Sequence, residues 1–244
     1  MLLFASDTQE SSEYIKRPVT KLRVIRGKTQ ESKTVWNILV ASAGDAMVAN
    51  EAVDDVETFL QDTIRGNERR PSLRLGSLRE KIGDLVYSTY EKHRLRVAEG
   101  DQPPYFTLLI GAADETATIL LVTCEGKQQI LEQSGMIGSG LVTGGELLLR
   151  EFIREDMSQR EAASLAALIV TSVGNVDAFV GGEPEIKLCR NRRVWHYEKF
   201  KFKEIMKESQ SRWHLIKKVW WKIQDDSNVK RKLSRALIIN GGKS

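Results

Sequence analysis

Histidine, cysteine and long apolar runs are scarce in this chain, and each scarcity removes a class of function. Its three histidines, His93, His196 and His214, lie far apart in 244 residues, so a histidine-built metal centre is not expected. Cys124 and Cys189 sit inside apolar runs without metal-ligand spacing and read as buried free thiols rather than a disulfide. No apolar run approaches the roughly 18 residues of a membrane span. Met1 to Phe4 is followed by Asp7, Glu10 and Glu13 instead of a signal-peptide pattern. The expectation is a cytoplasmic protein with no membrane partner, no metal and no cofactor. What is present is 41% apolar residues, enough to build a substantial core.

Charge is unevenly placed. From Arg192 onward there are 15 Lys and Arg against 5 Asp and Glu, a net of +10; the overall +4 therefore leaves residues 1–191 at −6. This divides the chain into a domain over 1–197 and a basic amphipathic C-terminal helix and tail over 198–244. In that extension Phe202, Ile205, Met206, Trp213, Ile216, Trp220 and Ile223 recur at helical spacing, with Lys203, Lys207, Lys217, Lys218 and Lys222 largely off the stripe. The stripe predicts packing on its own domain or on a neighbouring subunit. Lys230-Arg231-Lys232 and Arg235 offer an anionic contact, for which the acidic face of a sister subunit fits the charge balance best. Nucleic acid is disfavoured, because the aromatic residues lie on the apolar stripe and not among the basic ones.

Along the chain, Met1 to Ile25 reads as two strands of a buried hairpin, the first already in its apolar pattern at Leu2, Leu3 and Phe4. Thr34 to Ala43 is a strand ending at the turn Gly44-Asp45. Val48 to Ile64 and Leu78 to Tyr90 have helical periodicity with one wet face each, and so belong on the outside of a sheet. Tyr105 to Ala112, Ala117 to Thr123 and Lys127 to Gln133 are strands joined by hairpin-length turns, hence antiparallel neighbours. Leu141 to Ile153 and Ser158 to Val173 return to helix, the second opened by the capping box Ser158-Gln-Arg-Glu161. Glu185 to Tyr197 is a closing strand. Paired helices between blocks of antiparallel strand predict an α+β fold, two stacked sheets between helix layers.

Five short motifs in fixed order carry a resemblance. Phe4-Ala-Ser-Asp7-Thr-Gln9, Lys21-Leu22, Ala41-Ser-Ala-Gly44-Asp45-Ala46, Ile137-Gly138-Ser139-Gly140, and Val176-Asp177 with Gly181-Gly182 together resemble the 20S proteasome subunit family over roughly residues 1–190. The resemblance implies the four-layer αββα sandwich of the N-terminal-nucleophile hydrolases. In active β-type members of that family the nucleophile is an N-terminal threonine hydroxyl, and that residue's own α-amine is the base. An amine with an ordinary pKa of about 7.7–8.0 suits the task.

Position by position, the resemblance implies that Asp7 orients Lys21 and that Lys21 lowers the amine's pKa. Ser139 and Asp177 hydrogen-bond around the terminal amine, and the backbone N–H of Ala41, where a glycine is usual, serves the oxyanion. Val180 departs from the pattern, standing where the family usually carries a serine. So does the start: the threonine belongs on a strand upstream of Asp7, and neither Met1 nor Leu2 carries a nucleophile. Two readings follow. One is a threonine-type peptidase of intracellular protein degradation whose nucleophile strand is missing from this chain as recorded. The other is a catalytically inactive subunit that assembles rings with related subunits or binds a partner. Both imply self-association; the first adds a polypeptide substrate.

Overall fold

The computed structural model describes residues 1–11, 16–28, 34–66, 74–113, 116–197 and 199–225. In chain order the elements are β1 (Leu2–Ser6), β2 (Gln9–Ser11), β3 (Lys16–Pro18), β4 (Leu22–Lys28), β5 (Thr34–Gly44), α1 (Ala46–Gly66), α2 (Leu75–Arg94), β6 (Phe106–Ala113), β7 (Ala117–Thr123), β8 (Gln128–Leu131), a 3₁₀ turn at Ser139–Leu141, α3 (Gly145–Phe152), α4 (Gln159–Gly174), β9 (Glu185–Arg190), β10 (Arg193–His196) and α5 (Lys199–Asp225). One antiparallel sheet has the order β4-β5-β6-β7-β8, a second has β1-β9-β10, and β2 and β3 form a small ribbon.

Period-two alternation assigns each face. On β5, Trp36, Ile38 and Val40 point into the core under α1 and α2, where Val48, Ala52, Val53, Val56, Leu60, Ile82 and Val86 meet them. The intervening Leu39 and Ala41 face the other sheet, against Leu2 and Phe4 of β1. Burying Leu2 and Phe4 stabilises the stack by about 1.5–3 kcal/mol each. On its other face β1 turns Leu3 and Ala5 toward Ala163 and Ala167 of α4 and Ile205 of α5. The layers are therefore helices, five-stranded sheet, three-stranded sheet, helices: the expected αββα sandwich.

Four sequence expectations are corrected. Met1 to Ile25 is not a hairpin: β1 pairs with β9, whereas β4 pairs with β5 in the other sheet. Leu2, Phe4 and Leu22 still meet, but across the sheet stack, so the same apolar pattern is satisfied by stacking instead of pairing. Glu185 to Tyr197 is two strands, because Asn191 and Arg192 adopt φ of 48° and 63° and reverse the chain. Arg192 is fixed there by stacking 4.7 Å from the Trp36 ring. Helix α3 covers only part of Leu141 to Ile153, since Gly144 at φ +109° stops it running back. The third strand of the middle block is also shorter than Lys127 to Gln133.

Helix α5 packs on α4 through Ile205 and Met206, with Arg160 paired to Glu208 at 2.9 Å. Beyond Trp213 on the expected stripe, Ile216 is exposed, and Lys217 lies 5.5 Å from the Trp213 ring. Lys230-Arg231-Lys232 and Arg235 lie outside the described residues.

Candidate active site

The turn after β1 delivers Asp7, and the residue before β4 delivers Lys21. Lys21 Nζ lies 2.9 Å from both carboxylate oxygens of Asp7, a bidentate contact with both side chains largely screened from water. Asp7 Oδ2 also accepts from the backbone N–H groups of Gly181 (3.2 Å) and Gln9 (3.3 Å). These contacts need a tight loop. Thr8 N–H donates to the Gly181 carbonyl at 3.1 Å, Thr8 Oγ1 to the Glu183 carbonyl at 2.8 Å, and Gln9 Nε2 to the Ala178 carbonyl at 3.3 Å. A side chain on Gly181 or Gly182 would run into Gln9 or Thr8, and Gly182 also holds φ +77°. That is the local reason for the Gly-Gly pair.

Asp177 follows the end of α4, with its N–H on the Val173 carbonyl at 2.8 Å. It is 5% exposed. Burial pushes its carboxyl pKa up, but donors from Phe179 N–H (2.9 Å), the Ser139 hydroxyl and Thr143 Oγ1 (3.3 Å), with the Lys21 charge nearby, outweigh that and hold it below the usual aspartate range. Ser139 enters on the 3₁₀ turn. Gly138 before it, at φ +91°, lets that loop close on β5: a Cβ there would stand 3.2 Å from Ala43 Cβ. Asp7, Lys21, Ser139 and Asp177 are thus brought together from four separate parts of the chain.

Ala41 lines the same space but does not offer a free donor. It pairs with Leu22 on one side and Leu109 on the other, so neighbouring strands occupy both of its flanks. β4 ends at that rung. Ser42, Ala43 and Gly44 pair only with β6; Asp45 N–H donates to the Tyr105 carbonyl, so by alternation Ala43 N–H also faces β6 and Gly44 N–H faces away from it. Gly44, at φ +103°, is pressed against the Tyr105 and Phe106 backbone, and Asp45 caps α1 through Met47 and Val48 N–H at 3.1 Å each. This anchors the end of β5 beside the site.

Two residues escaped the sequence reading. Thr143 donates to Asp177 and lies 3.2 Å from the Ser139 carbonyl; its spacing of four from Ser139 was the available signal. Lys187 is buried on β9, paired with Glu185 at 2.9 Å and donating to the Leu22 carbonyl, which ties the two sheets together next to Lys21. Nothing in its sequence neighbourhood marks it. Both cysteines are free and buried, and burial pushes the Cys189 thiol up. Among the described residues no cluster of His, Cys, Asp and Glu could hold a metal, and no helix is long and apolar enough to cross a membrane.

Asp7, Lys21, Ala41 and Ser139 line one part of a cavity of about 1130 Å³ bordered by β1, the 135–140 loop and α4. The class defined by the fold is the αββα sandwich with its cavity beside β1. No family model and no curated protein matches the chain. Among solved structures it is similar to the Anbu (Gly-1) mutant from Hyphomicrobium sp. strain MC1, with 15% identity, TM-score 0.67, and 92% of this chain and 94% of that one covered. It is also similar to Anbu, described as an ancestral beta-subunit, from Yersinia bercovieri, with 15% identity, TM-score 0.65, and coverage of 88% and 91%. The likeness runs over nearly the whole of each chain and shows that this chain has the fold of these Anbu proteins.

Proposed function

We propose that this chain is a subunit of a proteasome-like peptidase of the threonine type, acting on polypeptide in intracellular protein degradation. The observation that carries the reading is the bidentate Lys21–Asp7 pair beside the Ser139–Asp177 network at the cavity. In this reading the nucleophile is the hydroxyl of an N-terminal residue standing next to β1, and its own α-amine takes the proton. Lys21 places a positive charge that lowers the amine's pKa and leaves it unprotonated near neutral pH, and Asp7 holds Lys21 in place. The Ser139 hydroxyl and the Asp177 carboxylate orient the amine, and the N–H of Gly44 receives the oxyanion, in place of the one expected at Ala41. Met1 and Leu2 cannot supply the nucleophile themselves.

The test joins a strand headed by threonine to Met1, exposes that threonine with a cleavable leader, and follows hydrolysis of a fluorogenic peptide. Turnover is expected, falling by roughly 10² or more on Lys21→Ala or on replacing the leading threonine with alanine. Turnover indifferent to Lys21→Ala sinks the assignment.

A second reading, a noncatalytic subunit that assembles rings with related chains, is favoured by the exposed apolar side chains Val142 and Leu147 around the start of α3, 81% and 62% exposed. A monomer by light scattering at high protein concentration excludes it.

A further inference from the structure

A second cavity, of about 560 Å³, borders the loop that holds Asp7. Its walls come from the end of α4, residues 181–184 and α5, and it shares only Val170 with the active-site cavity. Its volume falls within the roughly 300–1,000 Å³ of small-molecule sites, which combine apolar surface with a few placed polar groups. Half-buried Val170, Pro184 and Met206 supply the apolar surface.

The polar groups carry charge of both signs. Lys203 and Lys207 stand one turn apart on α5 and line the cavity, and Glu183 lines it from the loop. All three are exposed, and among the described residues none has an ion-pair or hydrogen-bond partner for its side chain. Their neighbour Glu208, by contrast, is taken by Arg160 at 2.9 Å and by Arg212 at 2.6 Å. The lysines therefore do not close on Glu183 across the gap. The C-terminal end of α4, where carbonyls lack intrahelical donors, adds partial negative charge to the rim. A lone anion in this space would meet Glu183 and the helix end, and a lone cation would meet two lysines. A ligand with separate ammonium and carboxylate groups satisfies both walls. In a free amino acid the two groups sit on one carbon, whereas a peptide carries them apart by about 3.3–3.6 Å per residue, so that each reaches its own wall.

We propose that this cavity binds short peptides with free termini, the carboxylate on Lys203 and Lys207, the ammonium at Glu183 and the end of α4, and apolar side chains on Val170, Pro184 and Met206. The same loop makes the contacts of the active-site turn: Gly181 N–H donates to Asp7 at 3.2 Å, and Thr8 Oγ1 to the Glu183 carbonyl at 2.8 Å. A peptide held at Glu183 steadies the backbone that fixes Asp7, and through Asp7 it steadies Lys21. Coupling of this kind is reciprocal. The source of the ligand rests on the peptidase reading: hydrolysis of polypeptide releases short peptides with both termini free, so the cavity senses the product of the neighbouring site.

The test uses the chain beginning at Met1, in which neither Met1 nor Leu2 is a nucleophile, so binding is read apart from turnover. Calorimetric titration with the unblocked tripeptide Val-Ala-Leu is expected to show saturable binding, weakened at least tenfold by acetylating its amine or amidating its carboxylate. Lys203→Gln together with Lys207→Gln is expected to abolish the difference between free and amidated peptide, and Glu183→Gln the difference between free and acetylated peptide. All three positions are exposed, so the fold tolerates these changes. Hydrogen exchange of the Gly181 and Gly182 amides is expected to slow at least threefold with bound peptide. Absence of saturable binding overturns the proposal. So does equal binding of the blocked peptides, which would leave only an apolar pocket. A preference for the free carboxylate that survives in the Lys203 and Lys207 variant places the peptide elsewhere and overturns it too, and binding that leaves Gly181 exchange unchanged overturns the link to Asp7. A threonine-headed chain that cleaves peptide but takes up no tripeptide keeps the peptidase reading and loses this one; a chain that binds the tripeptide but never cleaves does the reverse.

Discussion

Asp177 gathers three donors and a nearby cation around one buried carboxylate, and its pH behaviour follows from that. The folded pKa is depressed, so the group contributes stability that is complete above the ordinary aspartate value of about 4 and is lost as pH falls through the lower folded value. Asp177→Asn is expected to cost about 1–3 kcal/mol at neutral pH and to flatten the acid limb of the stability profile, as measured by urea unfolding between about pH 6 and pH 3. For Lys21 and Asp7, a double-mutant cycle of Lys21→Met and Asp7→Asn is expected to give a coupling of about 1 kcal/mol, the geometry being bidentate but partly wet. Asp7, Lys21, Ser139 and Asp177, which the structure brings together, could be singled out from the order of the five short motifs. Thr143 and Lys187 could not, because their partners, Asp177 and the Leu22 carbonyl, are 34 and 165 positions away in sequence.

Among the elements, α4 is the helix most completely written in its own sequence. The Ser158 hydroxyl accepts from Glu161 N–H, and the Glu161 carboxylate accepts from Ser158 N–H at 2.9 Å. Ser158→Ala is expected to cost about 1 kcal/mol, read as a drop in thermal midpoint with the fold unchanged by circular dichroism. The same helix supplies Ala163 and Ala167 to β1 and Leu165 and Ile169 to the cavity, so its start must be set correctly for the site wall to form. Strands β5, β6 and β7 were readable from alternation and turn chemistry alone. The β9–β10 turn was not, since Arg192 in a left-handed conformation depends on Trp36 beneath it. Helix α5 was readable as amphipathic, and its Ile205 and Met206 are the stripe residues that pack on α4.

At the scale of the whole molecule, the fold depends on how closely the two sheets approach. Gly111 on β6 sits under β1: a Cβ there would lie 2.5 Å from Phe4 Cε2 and 3.1 Å from Leu2 Cδ1. Gly111→Val is expected to force the sheets apart and cost about 1–3 kcal/mol, seen as a lower urea midpoint. The solved structures of similar fold share only 15% of their residues with this chain. What persists at that distance is the pattern of faces, because layers need apolar alternation and not particular side chains.

The sequence by itself determined the elements, the apolar faces that make four layers, and the order of the small-residue motifs, all of which depend on neighbours within a few positions. Only the tertiary structure decided that β1 pairs with β9 instead of β4, that Ala41 is flanked by strands on both sides, and that β1 borders a cavity. Those outcomes depend on which apolar face stacks on which, and a local pattern that can be satisfied equally by pairing or by stacking does not choose between them.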